Sequence, residues 1–205
     1  MTQYLQAFRE ETDIISKEEL ISSLFPILYP AEKLPDTCVK AAVKGMEDIA
    51  IAFLINRQNG YGTLFSKTEM EMYGITMQEI FDHANHTNYG FKLASLSAML
   101  GHPDDTINNI FYVLTNESGY FGAAAITNPV VLHRLRENFG CSLYILPSSV
   151  HEVLLLPVGV FPKADPRELA AMVKEINRAE VEPKDRLSDR VYFFDYEQDC
   201  IRTVA

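Results

Sequence analysis

Residues 111–157 constrain the fold more than any other part of the chain, because their strand, turn and helix signals agree with one another. Two apolar runs, 110–115 and 120–126, flank Asn116-Glu117-Ser118-Gly119, a pattern that predicts a β-hairpin. Asn128 as N-cap, Pro129 at the first helical position and Gly140 as stop then bracket a helix with Val131, Leu132, Leu135 and Phe139 on its inner face. Residues 142–146 and 152–156 read as two buried strands, joined by the polar run Pro147-Ser148-Ser149-Val150-His151-Glu152.

The flanking regions fit the same kind of fold. Ser16 with Glu19 forms a capping box ahead of Leu20, Ile21 and Leu24, and Pro26, Pro30 and Pro35 predict an extended link after it. Residues 48–56 are apolar enough for a central strand, and Asn59-Gly60 predicts a tight turn into a partner strand over 61–66. Thr76 with Glu79 opens a second helix through about residue 88. Residues 89–109, broken by Gly90, Gly101 and Pro103, read as a joint between two lobes. Asp165-Pro166 caps a helix with Leu169, Met172, Val173 and Ile176 on its core side, and residues 191–196 and 201–204 form a terminal hairpin. The prediction is an α+β fold with mainly antiparallel sheet built from hairpins and packed helices. Its organisation is residues 1–100, a helical segment with a hairpin and a helix, and 101–205, a β-β-α-β-β-α-β-β unit, compatible with one continuous domain.

Charge and cysteine usage narrow the setting. A net charge of −10 argues against a nucleic-acid or anionic-membrane partner, whose affinity depends on clustered Lys and Arg. Arg134-Leu135-Arg136 and Lys184-Asp185-Arg186 read as solvated helix faces. Cys38, Cys141 and Cys200 include no close pair, which predicts no disulfide framework and a cytoplasmic location. The polar, acidic start does not read as a signal peptide, and no apolar run approaches a bilayer span.

The patterns Tyr112-Val113-Leu114-Thr115-Asn116, Phe121-Gly122-Ala123-Ala124-Ala125, Leu143 to Glu152 and Leu187-Ser188-Asp189-Arg190-Val191-Tyr192, with Gly74-Ile75-Thr76 upstream, resemble a bacterial family of unknown function, DUF 5688. The resemblance covers residues 24–202 and is most specific in the Pro-Ser-Ser-Val-His-Glu run. It implies no activity. Members often carry further residues ahead of this region, so it implies a short or truncated chain.

Among reactive side chains, Ser148, Ser149, His151 and Glu152 are the candidate binding residues. Ser149 and His151 share a face if extended, but Glu152 points the other way and cannot orient the imidazole. The competing structural reading is a polar turn whose serines hydrogen-bond backbone groups. If the segment is instead a binding surface, replacing His151 and Glu152 by Ala changes binding and leaves folding nearly intact. His151-Glu152 begins a zincin-like motif, but Leu155 stands where the second histidine belongs. Asp82, His83 and His86 share a helix face without a third metal ligand, His102 lies beyond an irregular stretch, and His133 reads as solvated. Gly60-Tyr61-Gly62-Thr63 lacks the Lys-Ser/Thr ending of a phosphate loop. Cys141 reads as an inert buried thiol, and Gly122-Ala123-Ala124-Ala125 as a strand closely covered by the following helix.

No catalytic residue, metal site or cofactor is predicted. The favoured function is a non-enzymatic binding or protein-interaction module with a protein or small-molecule partner, and a homo-oligomer is compatible with it. The alternatives are a hydrolase-like enzyme joining Ser149, His151 or Glu152 to Asp189 or Asp195, and a structural or regulatory subunit of a larger assembly.

Overall fold

Ser16 and Glu19 close the expected capping box on α1 (Lys17–Ser22): the Glu19 N–H donates to Ser16 Oγ, and the Ser16 N–H donates to the Glu19 carboxylate. The computed structural model describes residues 15–56, 62–101, 110–147, 149–160 and 164–205. The same reciprocal cap starts α2 (Lys67–Met72) at Ser66 and α3 (Met77–His86) at Thr76. Of these three helices, α2 goes beyond the elements predicted from sequence.

Glu79, in the first turn of α3, also meets Lys17 Nζ at 2.7 Å and so ties α3 to α1. The Lys17 contact, with hydrogen bonds from the Thr76 backbone and hydroxyl, holds the Glu79 carboxyl at about 2, below its ordinary 4.5. A carboxyl depressed in the folded state adds stability that is fully present above its unfolded value and is lost as pH falls through the folded one. An NMR titration is expected to place the Glu79 midpoint near 2, and Lys17→Met to raise it. A wild-type midpoint close to 4.5 would mean that the pair does not hold in solution.

The first sheet contains β1 (Leu24–Pro30), β2 (Lys40–Val43), β3 (Met46–Asn56) and β4 (Gly62–Leu64), with β3 pairing antiparallel to each of the others. The central strand and its β4 partner are as predicted, while the Asn59-Gly60 turn lies outside the described residues. The extended link predicted from the prolines is instead β1, paired from Leu24↔Ile55 to Pro30↔Ile49. β1 is an edge strand, and backbone N–H groups alternate in direction along it. Pro26 and Pro30 are in phase, so both missing donors fall on the unpaired side, where proline is tolerated.

The second sheet has the order β10-β9-β7-β8-β6-β5, every pair antiparallel. Its strands are β5 (Phe91–Ser95), β6 (Tyr112–Asn116), β7 (Leu143–Leu146), β8 (Val153–Pro157), β9 (Tyr192–Asp195) and β10 (Cys200–Thr203). The fold is therefore α+β with antiparallel sheets. Residues 120–126 do not form the predicted second strand of a hairpin. β6 is already paired on both sides, by β5 and β8, so the following segment turns away as a buried 3-10 helix, Gly122–Thr127. β5, followed by α4 (Leu96–Met99), arises from the stretch that read as a joint. α5 (Pro129–Phe139) has the predicted Asn128 cap and ends at Gly140, φ +60°.

Side chains of the two sheets meet in one core. Ile51 and Phe53 from β3 cluster with Leu143, Leu155 and Phe194, and with Ala123–Ala125 of the 3-10 turn. Each large apolar side chain buried this way contributes about 1.5–3 kcal/mol. On the far face of the second sheet, Val173 of α6 (Pro166–Glu180) packs against Leu146 and Val191. A polar tie also joins the sheets: Asp48 of β3 accepts hydrogen bonds from Ser188 Oγ at 2.7 Å and from the Tyr192 hydroxyl. Burial, then that bond to Asp48, pushes the Tyr192 phenol far above its ordinary range. Among the described residues no helix is long and apolar enough to cross a membrane.

Candidate functional site

The β7–β8 hairpin places Pro147 and residues 149–152 at the meeting point of three segments distant in sequence. Ser149 Oγ accepts from the backbone N–H groups of His151 at 3.1 Å and Glu152 at 3.3 Å, which makes it the cap of a tight turn. The Val150 side chain is fully buried; its N–H donates to the Asp185 carbonyl at 2.8 Å and its carbonyl accepts from the Ala123 N–H at 3.4 Å. Ser149 forms an isolated β-bridge with Arg186, and the Ser188 N–H donates to the Pro147 carbonyl. Ser148 lies outside the described residues.

His151 is the hub of this junction. Its carbonyl accepts from Thr115 Oγ1 at 2.8 Å, and its Nδ1 accepts from the Phe121 N–H at 3.2 Å. An accepting Nδ1 assigns the proton of the neutral ring to Nε2, which lies 3.6 Å from Asp185 Oδ1. The ring also stands edge-on to Tyr120 and tilted against Phe121, both at 5.6 Å between centroids. Neither nitrogen is left as a base in this arrangement. Phe121 has φ +56°, which is costly for a bulky residue, and its hydrogen bond to His151 helps hold it there.

Phe121 and Asp185, both neighbours of the imidazole, line an apolar groove of about 530 Å³. Its walls are Ile27 of β1, Leu54 of β3, Leu64 of β4 and Leu34 from the loop after β1. The Tyr29 hydroxyl donates to the Lys184 carbonyl at 2.8 Å, which ties β1 to the segment carrying Asp185. The volume lies within the range of small-molecule sites, and an apolar lining with a few polar groups at the rim is their usual make-up. His151 supports the groove without lining it.

Other candidate residues have local partners. Asp189 accepts from Asn177 Nδ2 at 2.8 Å, and Asp195 accepts from the N–H groups of Glu197 and Gln198, so neither meets His151. Burial pushes the Glu152 carboxyl above its ordinary value, partly offset by the neighbouring His151, and no described residue donates a hydrogen bond to it. His86 Nδ1 meets the Asp82 carbonyl of its own helix at 2.7 Å, and burial pushes His83 down. Among the described residues no group of three or more side chains could hold a metal ion; His102 lies outside them. His133 is exposed beside Glu137. Cys38 is buried, burial raises its thiol pKa, and all three cysteines are free. Of the Gly60–Thr63 run, Gly62 and Thr63 lie in β4 and the rest lies outside the described residues.

Three residues of the site went unseen in the sequence. Lys184-Asp185-Arg186 read as a helix face, but it follows α6 as a turn in which Arg186 caps the Val181 and Arg178 carbonyls and Asp185 faces His151. Phe121 read as part of a strand. Tyr29 read as part of a link. An aromatic residue immediately before Gly-Ala-Ala-Ala was the one available signal, because a bulky side chain beside such small ones marks a site of close approach.

An antiparallel α+β fold with a histidine-centred junction beneath an apolar groove is the class that these observations define. The chain belongs to a family of unknown function, DUF5688, which it matches over residues 32–196. That span includes the junction and most of the groove. No curated protein and no solved structure matches the chain.

Proposed function

We propose that the chain is a non-enzymatic, cytoplasmic ligand-binding module whose binding surface is the groove over Phe121, and that the run 147–152 keeps this surface in shape. One observation carries the reading: His151 Nδ1 and the Ser149 hydroxyl accept from backbone N–H groups and His151 Nε2 faces Asp185, while the adjacent Phe121 forms a wall of a 530 Å³ apolar groove. The net charge of −10 supports a ligand other than nucleic acid or an anionic membrane, and three free cysteines support a reducing compartment.

The test is a thermal-shift screen against metabolites, amphiphiles and short peptides, with NMR mapping of any hit. A ligand present at a hundred times its dissociation constant adds about 2.7 kcal/mol. Hits should perturb Leu54, Leu64 and Phe121. His151→Ala leaves the Phe121 N–H unpartnered, so it should cost about 1–2 kcal/mol of stability and weaken the same hits. Perturbations confined to Glu152, or ligand turnover abolished by His151→Ala, would overturn the reading in favour of an enzyme.

A further inference from the structure

Building on the groove as the binding surface, we infer that its ligand is an apolar molecule ending in an anionic group, a medium-chain carboxylate, with Lys33 as the charge partner. Three charged residues stand along the groove: Lys33, Lys184 and Asp185. Asp185 already faces the His151 imidazole at 3.6 Å, and Lys184 Nζ lies 3.1 Å from the Glu182 carboxylate. Lys33 differs. Its ammonium donates to the neutral carbonyl of Pro183 at 3.2 Å, and no described carboxylate pairs with it. An ammonium offers three donors and strongly prefers an anion, so a single contact with a carbonyl leaves both charge and donors available. Its ammonium stands at the mouth of an apolar channel, and among the described residues its one hydrogen bond goes to a carbonyl.

The contact with Pro183 also explains how Lys33 is positioned. Lys33 lies in the short 3-10 turn Ala31–Lys33 directly after β1, and Pro183 precedes Lys184, whose carbonyl takes the Tyr29 hydroxyl. The two bonds hold the ammonium near the strand that supplies Ile27 and Tyr29 to the wall. A carboxylate bound there leaves its chain running over Ile27, Leu54 and Leu64 towards Phe121. The chain should bind by burial, the head group by charge. Each buried methylene is worth up to about a fourfold gain in affinity, whereas one exposed ion pair is worth about fivefold at most.

The experiment is calorimetric titration of the full chain, below micelle-forming concentrations, with hexanoate, octanoate and decanoate, and with decanol and decylamine as matched controls. NMR shifts at Leu54 and Leu64 report on the location. Affinity should rise from hexanoate to decanoate, decanoate should bind about fivefold more tightly than decanol, and decylamine should be the weakest. Lys33→Gln, an exposed substitution, should erase the difference between decanoate and decanol while leaving decanol binding and the melting temperature unchanged. Equal binding of decanol and decanoate, or no effect of Lys33→Gln, would overturn the anionic-end inference and leave the groove standing as a binding surface. Shifts at Leu54 and Leu64 with none of the ligands would overturn both.

Discussion

Replacing Gly122 by alanine is expected to lower stability by about 3 kcal/mol and to collapse the groove wall with it. A Cβ on Gly122 would stand 2.5 Å from Thr115 Oγ1, 2.6 Å from the Asn116 nitrogen and 2.7 Å from the His151 carbonyl oxygen. Two of those three atoms are backbone, so no rotamer change relieves the clash. The end of β6 must separate from the His151 turn, which breaks the Thr115–His151 hydrogen bond and loosens the bond that holds Phe121. Overpacking usually costs about 1–3 kcal/mol, and rigid neighbours together with lost hydrogen bonds place this case at the upper end. Urea unfolding measures the cost, and NMR shifts at Phe121 report on the groove. An unchanged unfolding midpoint would refute the close approach of these three segments.

Gly45→Ala should be at least as damaging, about 4 kcal/mol, for a different reason. Gly45 lies in the turn between β2 and β3 at φ +81°, where an L side chain is strained, and its Cβ would stand 1.9 Å from the Ile201 carbonyl oxygen of β10. The turn of the first sheet lies against an edge strand of the second, and the Thr203 hydroxyl donates to the Gly45 carbonyl across the same junction. The variant must either distort the turn or push β10 away. Thermal unfolding of Gly45→Ala should show a large fall in midpoint. The isolated strain of the positive φ would account for only about 1–2 kcal/mol of it, so a loss of that size alone would mean that β10 yields easily.

These two glycines mark what was hard to read in the chain. Gly122 opens a run of small residues, and Gly-Ala-Ala-Ala fits a closely packed strand as well as a buried 3-10 turn. What decided between them was the occupancy of β6 by β5 and β8, and β5 comes from a stretch whose own signals were weak. Pro26 and Pro30 acted as breakers in the sequence because proline lacks a donor. Their phase on an edge strand removes that objection, yet the edge exists only once β3 has chosen its partners. The site divides in the same way. The run 147–152 stood out by its residue types, and the Ser149 turn follows from them, but the partners that give His151 its role lie 30 residues away at Phe121 and beyond at Asp185.

By itself the sequence determined the helix starts at Ser16, Thr76, Asn128 and Asp165, the central position of β3, the two strands β7 and β8 and the terminal hairpin. Each depends on side chains within a few residues acting on neighbouring backbone or on one alternating face, so the information is local. The tertiary structure alone decided that residues 120–126 turn away from β6, that the His151 ring accepts from the Phe121 N–H, and that Lys33 stands over an apolar groove with its ammonium on the Pro183 carbonyl. Those outcomes depend on which distant segments compete for the same strand edge, donor or charge. Such competition is resolved only when the core brings the segments together.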